Sequence, residues 1–233
     1  MKADEVRKEL AKYIQPEKAK ASSKFFKTGK GEYGAGDVFI GVTVPNQRIV
    51  AKKFRDLPLD ELKKLLLDRI HEYRLTALFI LVHKYNTKNS DKAQLANFYL
   101  DNISGVDNWD LVDSSAHKIL GPYLYDQDKK ILYDFAHSKD IWKQRISMIA
   151  TMYYINKREY HDALAIAEIL LKNDHDLIHK AVGWMLREIG KKDQNIEEEF
   201  LRLHYKKMPR TMLRYAIEKF PEKLRQSYLN GEV

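Results

Sequence analysis

The sequence predicts an all-α fold built of antiparallel helix pairs stacked side by side, and three observations predict it. Apolar residues recur at three- and four-residue spacing along nearly the whole chain. Glycine and proline are scarce, 10 and 6 in 233 residues, and five of the glycines fall between Gly29 and Gly41. The other turn signals are short, at Asn86 to Ser90, Gly121-Pro122 and Gly190 to Asp193. Many short helices joined by short turns each bury one face against neighbours and leave a curved surface free.

In chain order, amphipathic helices are expected over residues 1–13, 16–27, 45–54, 59–67, 71–85, 92–102, 109–120, 126–137, 141–156, 160–171, 174–189, 196–204, 209–220 and 222–229. The clearest core stripes are Val112, Ala116 and Ile119; then Trp142, Ile146, Ile149 and Tyr153; then Ile178, Val182, Met185 and Ile189. No exact repeat is visible, so the repeat reading rests on helix number and length. A single domain over 1–233 is the simplest division, with 121–126 the weakest point for a boundary.

Composition narrows the function. Lys+Arg is 41 and Asp+Glu 33, a formal net charge of +8 that suits a polyanionic partner. There is no cysteine, which excludes disulfides, thiolate metal sites and a cysteine nucleophile. No apolar run approaches the ~20 residues needed to span a bilayer, and residues 1–13 lack a signal-peptide core. A soluble cytoplasmic protein is expected.

Two motifs imitate known sites without their context. Gly29, Gly31 and Gly34 match G-x-G-x-x-G, but a helix precedes them where a nucleotide-binding loop needs a strand. Val50-Ala51-Lys52 resembles a kinase lysine segment, yet no H-R-D loop follows. His175 and His179 share a helix face as in H-E-x-x-H, but the intervening acid is the short Asp176 and no third ligand is evident, so a structural role is expected. No metal and no cofactor is predicted.

The chemistry concentrates on three helices. Trp184 lies about 200° around the wheel from Val182, off the core stripe of its own helix, at ~100° per residue. Lys180 and Arg187 flank it. An indole between two cations offers flat contact to sugar or base and neutralises phosphate. Burial of Trp184 under a second helical layer is the competing reading. Trp109 and Asp113 stand at i and i+4 and share a face. Asp107 and Asn108 are better placed to cap that helix, which leaves Asp113 without a capping role. Arg145 lies at the edge of the stripe containing Trp142 and by itself reads as a solvated arginine, whereas Trp142 reads as core.

Together these segments resemble the AlkD-type DNA alkylation repair glycosylases, which are built of HEAT-like repeats. Residues 24–45, from Lys24-Phe25-Phe26 through the glycine-rich run to Pro45, are similar to the family's N-terminal signature, with Arg48 following. Asn108-Trp109-Asp110-Leu111-Val112-Asp113 resembles W-D-x-V-D, Ile141-Trp142-Lys143-Gln144-Arg145 resembles I-W-x-Q-R, and residues 180–188 resemble K-A-x-G-W-x-L-R-E. The segments are colinear.

The resemblance implies a HEAT-like solenoid with a concave basic face. It also implies hydrolysis of the N-glycosidic bond of N3- or N7-alkylated purines in double-stranded DNA, during base excision repair. Trp109 and Trp184 would contact the lesion's deoxyribose, and Asp113 would stabilise the charge developing on the sugar and help position water. Arg145 would hold phosphate, with Lys180, Arg187, Phe25, Lys27, Lys30 and Arg48 as further DNA contacts. The family often has Tyr where this chain has Phe25, so one hydroxyl contact is lost. The chemistry needs no metal, since an alkylated purine is already a good leaving group. A monomer is expected. The alternatives are a non-catalytic helical-repeat scaffold for nucleic acid or protein, and a zinc hydrolase at His175 and His179.

Overall fold

The computed structural model describes residues 1–233, and its regular structure is helical, as the periodicity predicts. One isolated parallel bridge, Val38 to Ile70, is the sole strand-like pairing. No helix is long and apolar enough to cross a membrane. Backbone contacts divide the chain into two compact units, Met1–Ser115 and Ala116–Val233.

The first unit holds α1 (Ala3–Ala11), α2 (Pro16–Phe25), α3 (Val44–Lys53), α4 (Leu59–Leu66), α5 (His71–Tyr85), α6 (Lys92–Asp101) and the first turns of α7 (Trp109–Leu124). Helix α5 is its centre. It packs on α3, α4 and α6 and buries residues on every side, from Leu75 through Leu81, as expected of a helix that is apolar all round. The glycine-rich segment between α2 and α3 is anchored to α5. Glu72 accepts the backbone N–H groups of Ile40 and Gly41 at 3.1 and 2.7 Å. Gly41 has φ +80°, and a Cβ there would lie 2.0 Å from the Gln15 carbonyl oxygen. Only glycine meets both demands.

The second unit holds the rest of α7 with α8 (Lys130–His137), α9 (Ile141–Ala150), α10 (Met152–Asn156), α11 (His161–Leu170), α12 (Asp176–Gly190), α13 (Gln194–His204), α14 (Arg210–Ala216) and α15 (Glu222–Asn230). Its packing is that of a helical repeat. Helix α8 pairs with α9 and α11 with α12; α8 then stacks on α11, α9 on α12, and α12 on α14. The predicted stripe Ile178, Val182, Met185 and Ile189 is fully buried, as is Val112, Ala116 and Ile119 on α7.

The structure departs from the sequence reading at three places. The turn expected at Gly121-Pro122 is absent, because α7 runs on to Leu124 with Pro122 inside it. Proline this close to a helix end forfeits one hydrogen bond, and Gly121 lets the helix approach the Ala150 carbonyl oxygen, 2.6 Å from where a Cβ would stand. The single helix expected over 141–156 breaks at Thr151, whose hydroxyl donates to the Met148 carbonyl at 2.7 Å. Such side-chain bonds compete with the helix ladder. The stripe on α9 is also rotated. Ile146 and Ile149 are buried, but Trp142 and Tyr153 are half-exposed while Arg145 is buried.

Close backbone approach makes Gly183 the test of the α12–α14 pairing. A Cβ there would lie 2.4 Å from the Met212 carbonyl oxygen and 2.5 Å from the Tyr215 Cβ. Gly183→Ala gains helix propensity of under about 1 kcal/mol but forces the helices apart, at about 1–3 kcal/mol. The net expectation is a lower urea midpoint, and an unchanged or raised midpoint contradicts this packing.

Candidate functional site

Trp109 opens α7, and its indole is half-exposed. Two phenylalanines at the end of α2 hold it. Phe26 lies flat on Trp109, with ring centroids 5.1 Å apart and planes at 11°, and its ring also stacks on Phe39 at 4.9 Å. Phe25 meets Trp109 edge-on at 5.9 Å and 75°, and is itself 65% exposed. The expected DNA contact Phe25 therefore sits directly beside the expected sugar contact Trp109. Each ring pair contributes about 0.5–1.5 kcal/mol beyond its buried area.

Under the rings lies a charge network that sequence reasoning missed. His71, the first residue of α5, is buried. Its Nδ1 faces Asp37 Oδ2 at 3.0 Å and its Nε2 faces Asp110 Oδ2 at 2.8 Å. Arg74, one turn along α5, donates to Asp37 Oδ1 at 2.6 Å and pairs with Asp107 at 3.1 Å. Asn108 donates its side-chain amide to Asp37 Oδ2 at 2.9 Å, while its Oδ1 takes the Trp109 backbone N–H at 2.8 Å. Burial opposes ionisation of Asp37, but His71, Arg74 and Asn108 outweigh it and bring its pKa down to about 2. Burial, only partly offset by Arg74, pushes Asp107 upward. The local signals were weak, since Asp37, His71 and Asp110 are far apart in sequence and none belongs to a periodic stripe.

Asp113 follows Trp109 by one turn on α7 and is half-buried. The buried Tyr99 hydroxyl of α6 lies 3.1 Å from Ser115 Oγ. Burial raises the pKa of that hydroxyl, the Ser115 bond opposes the rise, and the negative charge of Asp113 adds to it. Of the basic residues expected at DNA in this unit, Lys27, Lys30 and Arg48 are all exposed. The Lys27 ammonium reaches over the Tyr33 ring at 5.9 Å, and the Arg48 guanidinium covers Phe79 at 4.1 Å.

In the second unit Trp184 is half-buried, with its indole N–H donating to Glu188 Oε1 at 3.0 Å. The flanking cations are not bare. Lys180 pairs with Asp176 at 2.6 Å, and Arg187 donates to Glu218. Arg145 is 5% exposed and donates to the Leu177 carbonyl. It is thus no solvated arginine: α12 presents a carbonyl that α9 reaches only with a long side chain. His175 caps α12 by accepting the Leu177 N–H at 3.1 Å, and His179 bonds the Asn173 carbonyl. Both imidazoles thus engage backbone groups in structural roles.

A family model described as DNA alkylation repair enzyme matches residues 6–220. The chain belongs to the DNA alkylation repair enzyme family. Its role is accordingly the repair of alkylation damage in DNA. No curated protein sequence matches the chain. Among solved structures, a "Predicted DNA alkylation repair enzyme" from Enterococcus faecalis matches with a TM-score of 0.69 at 17% identity, over 90% of this chain and 97% of that one. At that identity the likeness establishes the shared fold.

Within this family member, breaking the charge network costs more than losing a single ring pair. Removing one partner of a buried ionic pair costs about 3–5 kcal/mol. Asp37→Asn is therefore expected to destabilise the protein by that amount in urea unfolding at pH 7. The folded-state pKa of Asp37 lies below its ordinary 3.8, so its contribution is complete above 3.8 and is lost as pH falls through about 2. That acid-dependent part of the stability should vanish in Asp37→Asn, and its persistence would assign it to other carboxylates.

Proposed function

We propose that the chain is a monofunctional DNA N-glycosylase that hydrolyses the bond between deoxyribose and a cationic N3- or N7-alkylated purine in duplex DNA. The observation that carries this reading is the pairing of a ring-clamped, half-exposed Trp109 with Asp113 one turn later on α7, in a member of this repair family.

Alkylation at N3 or N7 leaves the purine positively charged. When the C1′–N9 bond breaks, its electron pair passes to the base and neutralises that charge. Positive charge then appears on the sugar as an oxocarbenium-like centre. The Asp113 carboxylate stabilises that centre and orients the incoming water, which adds at C1′ and gives up a proton to bulk solvent. The products are a free alkylpurine and an abasic site. The Trp109 ring face lies along the sugar and lends its quadrupole to the same cation. Electrostatic stabilisation of this kind contributes about 3–4 kcal/mol for a single well-placed group.

DNA binding falls to the basic groups. Lys27, Lys30 and Arg48 neutralise phosphate along the first unit, and Trp184, Lys180 and Arg187 offer a contact face on α12 of the second. Arg145 is kept as a phosphate contact. Its burial makes it a rigid one, so its loss would lower stability as well as affinity. The reading includes a monomer acting in the cytoplasm.

Asp113→Asn should nearly abolish release of 7-methylguanine from methylated duplex while duplex affinity is kept. Parental excision by that variant would remove Asp113 from the mechanism, and no release by the parent protein would favour a non-catalytic scaffold. Lys27→Ala should lower the slope of log K against log salt by about 0.9 for the phosphate contact it loses; a parental slope would place Lys27 off the DNA.

A further inference from the structure

Among the buried titratable groups that the proposed chemistry leaves unused, His71 lies one ring away from Trp109. The His71 imidazole stacks on Phe39 at 4.6 Å and approaches Phe26 at 4.9 Å, and Phe26 lies flat on Trp109. Both of its ring nitrogens face carboxylate oxygens, of Asp37 at 3.0 Å and Asp110 at 2.8 Å. A neutral imidazole has one N–H, so donation to both carboxylates takes the imidazolium. The position is costly for a cation. His71 is 1% exposed and begins α5, where the helix dipole repels positive charge. The two carboxylates come from different elements, the glycine-rich segment and the first turn of α7.

The bridge is tied to Trp109 by more than stacking. Asp110 is its immediate neighbour on α7. Asn108, on its other side, links Asp37 to the Trp109 backbone N–H. The residues flanking Trp109 are thus both fastened to the Asp37–His71 pair, and Asp113 sits on the same first turns of α7.

We propose that the Asp37–His71–Asp110 bridge is a positioning device that sets the orientation of Trp109 and the pitch of Asp113 for base excision. The catalytic part rests on the glycosylase reading, whereas the geometric part does not. His71 touches no substrate; it acts through Trp109 and α7.

The groups facing His71 are Asp37 from the glycine-rich segment, Asp110 and the nearby Asp107 around the start of α7, and Arg74 on its own helix. Burial and Arg74 disfavour its charge, but Asp110 and Asp37 prevail and raise its pKa from 6.5 to about 9. A raised histidine pKa means that the bridge's contribution is complete below 6.5 and is lost as pH rises through about 9.

The test uses the full chain with 15N-labelled tryptophan. In the parent protein the Trp109 indole N–H resonance should move with pH at a midpoint near 9. In Asp110→Asn the introduced amide can donate to a neutral imidazole, so the midpoint should fall by about 1–3 units. His71→Gln keeps one of the two bonds. At neutral pH it should lower kcat for 7-methylguanine release on the order of 10–100-fold, the cost of slight misplacement, with duplex affinity unchanged. Asp110→Asn should retain more of the rate than Asp110→Ala, which leaves the ring nitrogen without a partner. A Trp109 resonance that ignores pH between about 7 and 10.5, or parental kcat in His71→Gln, would overturn the proposal. A parent protein without excision activity would sink the glycosylase reading alone, and the resonance arm would still decide whether the bridge orients Trp109.

Discussion

A charged imidazole buried between two carboxylates is stable only while all three groups stay in register, and the first unit is organised around that constraint. The charge of His71 draws Asp37 and the glycine-rich segment onto α5, and Asp110 with the start of α7 onto the same point. Arg74 and Asn108 occupy the remaining oxygens of Asp37. Phe39, Phe26 and Trp109 stack beside these groups. Hydrophobic burial along α5 supplies most of the driving force for the unit, but it is non-directional. The ionic bridge supplies direction, because misalignment leaves a buried charge unpaired.

This arrangement suits the chemistry of an alkylated nucleotide. In the proposed reaction the leaving group is already activated by its positive charge, so the protein would have little to supply beyond placing a carboxylate and an aromatic face beside the sugar. Placement is what a rigid helix start provides. Trp109 is held on one side by Phe26 and at its edge by Phe25, which leaves part of the indole open to a ligand. Phe25 makes this edge contact with its ring alone, so the support of Trp109 needs no hydroxyl at that position.

The fold was legible because apolar periodicity is a local signal. Helix α5 starts and ends where the pattern places it, and the stripes of α7 and α12 are buried residue for residue. The pairing of α8 with α9 and α11 with α12 follows from short connections. What the pattern missed depends on partners distant in sequence. Arg145 looks solvated on its own helix, but the carbonyl it binds belongs to Leu177. His71 looks like an ordinary first-turn residue until Asp37 and Asp110 are brought to it. The break at Thr151 came from a hydroxyl preferring the helix backbone, which no hydrophobic pattern records. In the candidate site, Trp109, Asp113 and Phe25 were visible as motif residues, whereas the ring and charge partners that hold Trp109 emerged only with the fold.

The central claim is that Asp113 stabilises positive charge at the sugar carbon, and a charged mimic of that centre tests it most directly. Duplex DNA carrying a cationic 1-aza-deoxyribose at the lesion position should bind the parent protein more tightly than the same duplex with a neutral tetrahydrofuran. That preference should disappear in Asp113→Asn, leaving the affinity for the neutral site intact. Equal affinity of the parent protein for the two duplexes, or a preference for the cation that survives the substitution, would contradict the account.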